Sequence, residues 1–106
     1  MSHSNNATVM CLGHNENALL FNASGIQGII IKDEKDLALQ VEKYVEQGIK
    51  IFLVSEVFSE EIERLREKYN AVYPIFLLLS LDGSTTDAHV ERIRKDVERA
   101  TGINLL

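Results

Sequence analysis

The chain has 106 residues, a mass of 11.9 kDa and a formal net charge of −5. That is one domain's worth, and area scaling buries about 65% of the unfolded surface, enough for a core without disulfides or metals. The acidic balance argues against a nucleic-acid backbone as partner, since phosphate neutralisation supplies most of that affinity; the lone Cys11 excludes an internal disulfide and a cysteine-based zinc site.

Residues 1–6 are polar, with no Lys or Arg and no long apolar stretch, and read as a disordered lead-in rather than a signal peptide. The longest apolar run, Ile75-Phe76-Leu77-Leu78-Leu79, is too short to cross a bilayer. Residues 7–106 are expected to form one α/β domain. Its first element is the strand Thr8 to Leu12, ended by Gly13. A short helical stretch, Asn15 to Ser24, is closed by Gly25, which takes the left-handed conformation readily. Gly28-Ile29-Ile30-Ile31 is too short for a helix and rich in β-branched residues, hence a strand.

Asp33 is placed to cap the next helix, with Glu34 and Asp36 in its first turn, where the helix dipole favours acids. Leu37, Val41, Tyr44 and Val45 form its apolar face and Gly48 ends it. Ile49 to Val54 is a strand. Ser55 or Ser59 caps a helix striped by Phe58, Ile62, Leu65 and Tyr69. Tyr73 to Leu79 is the fourth strand, with Pro74 among its first residues, where a missing donor is tolerated. After the turn residues Ser80 to Ser84, a last helix runs over 85–101. Four near-continuous apolar strands alternating with amphipathic helices imply a parallel sheet covered on both faces. The expected strand order is 2-1-3-4, a Rossmann-like or flavodoxin-like sheet reduced by one strand.

In such sheets the ligand crevice lies beyond the carboxyl ends of the strands, where the strand order reverses. Here that means Gly13-His14-Asn15-Glu16 and Ser55-Glu56-Val57. Dinucleotide binding would need further glycines beside Gly13, and no Walker-A pattern exists. A receiver domain would need an acidic acceptor at the end of the third strand, where Val54-Ser55 stand instead. One enzymatic reading survives: a phosphocarrier, or a receiver-like adaptor, with His14 as phospho-acceptor and the amides of 15–17 around the phosphoryl group. The bland alternative is a solvated loop histidine, since no second catalytic group is visible beside it. His3, His14 and His89 are too scattered for a metal site, and Cys11 reads as a small buried apolar residue. No cofactor is expected.

The last helix carries Asp87, Glu91, Asp96 and Glu98 against Arg92, Arg94, Lys95 and Arg99, so it is neutral and residues 1–85 hold the whole −5. Its apolar positions Val90, Ile93, Val97 and Ala100 step 3, 4, 3. That spacing serves a helix packed on its own sheet, and equally a seam shared with another helix. The tail, 102–106, ends in Ile103-Asn104-Leu105-Leu106, three large apolar residues in four. Two homes are open to them: the domain itself or a partner.

Taken together these residues resemble the F subunits of the V-type and archaeal A-type ATPases and synthases. The resemblance covers about residues 8 to 106 and rests on four segments in order. They are Leu12-Gly13 followed by Leu20-Phe21 and Gly25-Ile26; Ile51-Phe52-Leu53-Val54-Ser55-Glu56; Tyr73-Pro74 with Gly83-Ser84; and Ile93-Arg94-Lys95-Asp96-Val97-Glu98-Arg99-Ala100-Thr101-Gly102-Ile103. Leu20 stands where that family usually has Gly, and Asn22 where it often has Arg. The resemblance implies a non-catalytic rotor component of the central stalk that binds the coiled coil of the D subunit. That pair turns inside the catalytic A/B hexamer, peripheral to the membrane on the cytoplasmic side, and couples ATP chemistry to ion transport. No membrane insertion and no nucleic acid is implied. With the terminal stripe and the tail, it marks Val90, Ile93, Arg94, Val97, Arg99, Ile103, Leu105 and Leu106 as the expected partner contacts.

Overall fold

A computed structural model describes residues 8–102. The lead-in 1–6 and the tail residues Ile103, Leu105 and Leu106 therefore lie outside the described residues. The strands are β1 (Val9–Gly13), β2 (Gln27–Ile30), β3 (Ile51–Ser55) and β4 (Ile75–Leu79). The α-helices are α1 (Glu34–Glu46), α2 (Ser59–Lys68) and α3 (Asp87–Thr101). The stretch Glu16–Ser24 is a 3-10 helix, and a single 3-10 turn, Glu56–Phe58, precedes α2. All strands run parallel in the order β2-β1-β3-β4, as expected.

The helix ends are closed by local contacts, among them the expected ones at Asp33 and Gly25. The Asp33 side chain accepts from the Asp36 amide, and Thr86 does the same for the amide of His89 at the start of α3. Gly25 and Gly102 close their helices at φ 82° and 74°. Of the two serines expected to cap the third helix, Ser55 caps the 3-10 turn that leads into it: its Oγ accepts from the Val57 amide. Ser59 is already inside α2, whose first turn has no side-chain cap.

Strand alternation divides the core into two layers. Met10, Leu12, Phe52, Val54 and Phe76 face α1 and α2, where Leu37, Val41, Ile62 and Leu65 meet them. Val9, Cys11, Ile51 and Leu53 face the other way, onto Ala18 and Phe21 of the 3-10 helix, Ile26 just before β2, and Val90 and Val97 of α3. The two sides of this layer approach closely at Gly28: a Cβ there would lie 1.9 Å from the carbonyl oxygen of Ala18. Gly28 therefore serves helix-to-sheet contact as well as strand pairing.

The layering decides the α3 stripe. Val90 is 0% and Val97 4% exposed, both in the core, with Ile93 packed at its margin. Two positions of the 3-4-3 stripe, Val90 and Val97, are spent on the chain's own sheet, while Ile93 stays half-buried and Ala100 exposed. The physical reason is that β1 and β3, the central strands, need an apolar cover on this face, and the short 3-10 helix covers only part of it.

Candidate functional site

The loops after β1, β3 and β4 meet at the carboxyl end of the sheet. They line a crevice of about 180 Å³ with His14, Asn15, Ser55, Glu56, Ser80 and Asp82 among its walls. Asn15 Nδ2 donates to the Leu81 carbonyl at 2.8 Å, and Asn17 Nδ2 to the Asp82 carbonyl at 2.6 Å. These bonds tie the loop after β1 to the loop after β4 across the end of β3.

His14 is held on both ring nitrogens. Nδ1 lies 2.6 Å from Ser55 Oγ, and Nε2 lies 3.1 Å from Asn15 Nδ2. Asn15 Nδ2 is fixed as a donor by its bond to Leu81, and Asn15 Oδ1 accepts from the Asn17 amide. Nε2 then accepts, so the proton sits on Nδ1 and points at Ser55; this tautomer is assigned from the network. A phosphoryl-accepting imidazole presents a free lone pair. In this arrangement one nitrogen is protonated and the lone pair of the other is engaged. The carboxylates of Glu56 and Asp82 also line the crevice, and a phosphate would meet them. Asp82 is held below the usual carboxylate range by the Ser84 hydroxyl, at 2.5 Å, and by the Ser84 amide. The geometry makes His14 a bridge between loops. Ser55 was legible in the sequence as a helix cap, but its pairing with His14, 41 residues away, was not.

Cys11 is fully buried in β1, and burial pushes its thiol up to about 12, which leaves it unreactive at neutral pH. Among the described residues, no three His, Cys, Asp or Glu side chains group as a metal site, and no helix is long and apolar enough to cross a membrane.

The expected partner contacts on α3 fall into distinct settings. Val90 and Val97 lie beneath the helix, in the core. Arg94, 11% exposed at its side chain, is clamped by Glu91 on one side and reaches Glu98 at 3.3 Å on the other. Glu91 also accepts from Ser24 Oγ at 3.1 Å, so this network pins α3 to the 3-10 helix. The Arg94 contact, then that of Ser24, holds the Glu91 carboxyl below its usual range. Arg99 projects outward at 82% exposure, 4.0 Å from Asp96.

Beside α3 lies the sheet edge. Ile75 donates its amide to the Lys50 carbonyl at 2.8 Å, so Ile75, Leu77 and Leu79 turn their backbone groups to β3. Phe76 and Leu78 turn theirs outward. Arg66 Nη2 covers the Phe76 carbonyl at 2.8 Å, while Leu78 is 36% exposed. On the α3 side, Leu77 and Leu79 form an apolar groove of about 210 Å³ with Ile93, Val97 and Ala100. The sequence marked all five as apolar but not the groove, which exists because α3 leans toward the 3-10 helix and leaves β4 half covered.

The family model that matches the chain is that of the ATP synthase (F/14-kDa) subunit, over residues 9–97. A V-type ATP synthase F subunit of Clostridium botulinum (strain Eklund 17B / Type B) is 28% identical over 96 residues, which cover 90% of this chain and 93% of the relative. The protein of the same name from Clostridium perfringens is 27% identical, with 90% and 91% covered. That of Fusobacterium nucleatum is 20% identical, with 92% and 94% covered.

Proposed function

The chain belongs to the family of the ATP synthase (F/14-kDa) subunit, and we propose that it is a non-catalytic rotor component in the central stalk of a V-type ATPase or synthase. In this reading it binds the coiled coil of the D subunit, turns with it inside the A/B hexamer, and transmits torque between ATP chemistry and ion transport. It works on the cytoplasmic side, peripheral to the membrane. The carrying observation is that the family match runs from the first strand to the last helix, with relatives bearing this name over nine-tenths of the chain.

The proposed contact surface is the part of α3 that its own sheet leaves uncovered, from the groove beside β4 at Ile93 to the outward Arg99, together with the sequence beyond it. Ile93 and Arg99 supply the described contacts, and Arg94, clamped by its two glutamates, fixes the helix that carries them. Ile103, Leu105 and Leu106 extend that surface beyond the described residues. Val90 and Val97 support it from below. A few apolar anchors with charged neighbours setting register are what helix recognition requires.

The test is size-exclusion chromatography with light scattering on this chain mixed with the coiled-coil D subunit of the same source. The expected result is a one-to-one complex, weakened at least tenfold by Ile93→Asp combined with Arg99→Asp. Separate elution at micromolar concentration would reject the stalk reading.

A further inference from the structure

The hydrogen-bond network around His14 is complete only for a neutral imidazole. The Asn15 amide nitrogen spends one hydrogen on the Leu81 carbonyl at 2.8 Å and the other on His14 Nε2 at 3.1 Å. Asn15 Oδ1 is taken by the Asn17 amide at 2.9 Å, so the side-chain amide cannot turn over without giving up the contacts to Leu81 and Asn17. Across the ring, Nδ1 donates to Oγ of the fully buried Ser55 at 2.6 Å. A second proton on the ring turns Nε2 into a donor facing the Asn15 donor. The same crevice offers the charged ring another place. Its walls carry the carboxylates of Glu56 and Asp82 and, among the described residues, no Lys or Arg. Imidazole is the side chain whose ordinary titration falls in the physiological range. We propose that His14 is a proton-operated clamp. Neutral, it locks the loop after β1 to Ser55 and, through Asn15, to the loop after β4; protonated, it leaves Ser55 and Asn15 for the carboxylates of Glu56 and Asp82 and loosens the loop that leads into α3.

His14 is exposed, so protons reach it directly from solvent. The charged and titratable groups around it come from every neighbouring element. They are Glu16 on its own loop, Glu56 on the 3-10 turn after β3, Asp82 after β4, His89 of α3, which faces Asp82, and Lys32 after β2, which faces Asp36. Only Glu56 and Asp82 share the crevice with the ring. The loop that the clamp holds is the one that starts α3. Asn15 and Asn17 grip the carbonyls of Leu81 and Asp82, and the Leu81 side chain is buried in the core. Just beyond, Thr85 donates its amide back to the Asp82 carbonyl at 3.1 Å, and Thr86 caps α3 through the His89 amide. The buried Thr85 hydroxyl has no hydrogen-bond partner among the described residues, so this stretch depends on the bonds that Asn15 and Asn17 supply. A proton that moves the ring biases a local element with two arrangements, and the readout is the start of α3.

The clamp is a property of the free chain and does not depend on the stalk reading. The experiment is a nitrogen-15 NMR titration of the full chain from about pH 8 to about pH 5. Long-range proton–nitrogen spectra of the imidazole rings report the tautomer. The expected result is a neutral His14 that carries its proton on Nδ1. On acidification the amide signals of Asn15, Asn17 and Leu81 should move with the same midpoint as the His14 ring. Exchange of the Thr85 and His89 amides, corrected for its intrinsic pH dependence, should become about tenfold faster, as the loss of ordinary hydrogen bonds implies. In His14→Gln the loop signals should stay flat over the same range, whereas His89→Gln should behave as the parent chain. The tautomer and the shared midpoint are read on the parent chain, so they decide the matter even where a variant fails to fold. A neutral His14 protonated on Nε2 would overturn the proposal. So would a ring that titrates while the Asn17 and Leu81 signals stand still, or a loop response that survives in His14→Gln. A response lost in His89→Gln would assign the switch to His89 instead.

Discussion

Replacing Val90 by aspartate separates the two roles that the α3 stripe can serve. Val90 is 0% exposed, among Val9, Cys11, Phe21, Ile51 and Leu53. Its full burial contributes about 1.5–3 kcal/mol. A carboxylate in its place sits in an apolar layer, and Arg94, one turn further along α3, is already engaged by Glu91 and Glu98. The cost of an unpaired charge, even after its pKa shifts, adds several kcal/mol. The sum, about 5 kcal/mol, is comparable with the whole stability of a small domain. Val90→Ala is the measurable companion. Losing two methyl groups and leaving a cavity costs about 2 kcal/mol. With a urea slope of about 1–3 kcal/mol/M, the midpoint of the isolated chain should fall by about 1 M for Val90→Ala, and Val90→Asp should have no cooperative transition. Arg99→Asp, at an exposed site, should stay within about 0.5 kcal/mol of the parent chain. Circular dichroism in a urea series reads all three. If Val90→Asp unfolds at the parent midpoint, α3 does not pack on this sheet and the stripe is an intermolecular seam after all.

Gly28→Ala would place a methyl 1.9 Å from the Ala18 carbonyl oxygen, and backbone rather than a flexible side chain has to move. A loss of about 3 kcal/mol is expected, seen as a melting temperature lower by about 13 °C; an unchanged melting temperature would refute the close helix-to-sheet contact. In acid, the carboxyls of Asp36, Asp82 and Glu91 are held below their ordinary values of 3.8, 3.8 and 4.5. The leading causes are the Lys32 amide, the Ser84 hydroxyl and Arg94 respectively. Because the folded values are the lower ones, the stability they add is present above the unfolded values and is lost as pH falls through the folded ones. The urea midpoint should therefore drop on acidification from about pH 5 downward, and less steeply in Glu91→Gln. A midpoint of equal slope in the variant would remove the Arg94 contact from the account.

Most of the fold was legible along the chain because the signals are local. Alternating apolar runs and helical stripes produced the β-α order, with Asp33 where a helix begins and Gly25 where one ends. Parallel strands of this kind leave few topologies, and the 2-1-3-4 order was among them. The candidate site was less legible. The sequence placed His14 and Ser55 at the two strand ends of the crevice, yet their hydrogen bond spans 41 residues and no periodicity encodes it.

The sequence by itself determined that α3 has one apolar face, that β4 is an apolar strand, and that the last residues of the chain are apolar as well. Only the tertiary structure decided what each surface meets. The α3 face closes on β1 and β3 because these central strands need cover on that side. β4 keeps an open rim because it stands at the edge of the sheet. Gly28 is a glycine because a helix carbonyl passes directly above it. A stripe of side chains records that a face is to be buried, and burial against a sheet or against another chain removes the same apolar area from water. The choice between them depends on which other elements the chain brings within reach, and that is a property of the assembled layers.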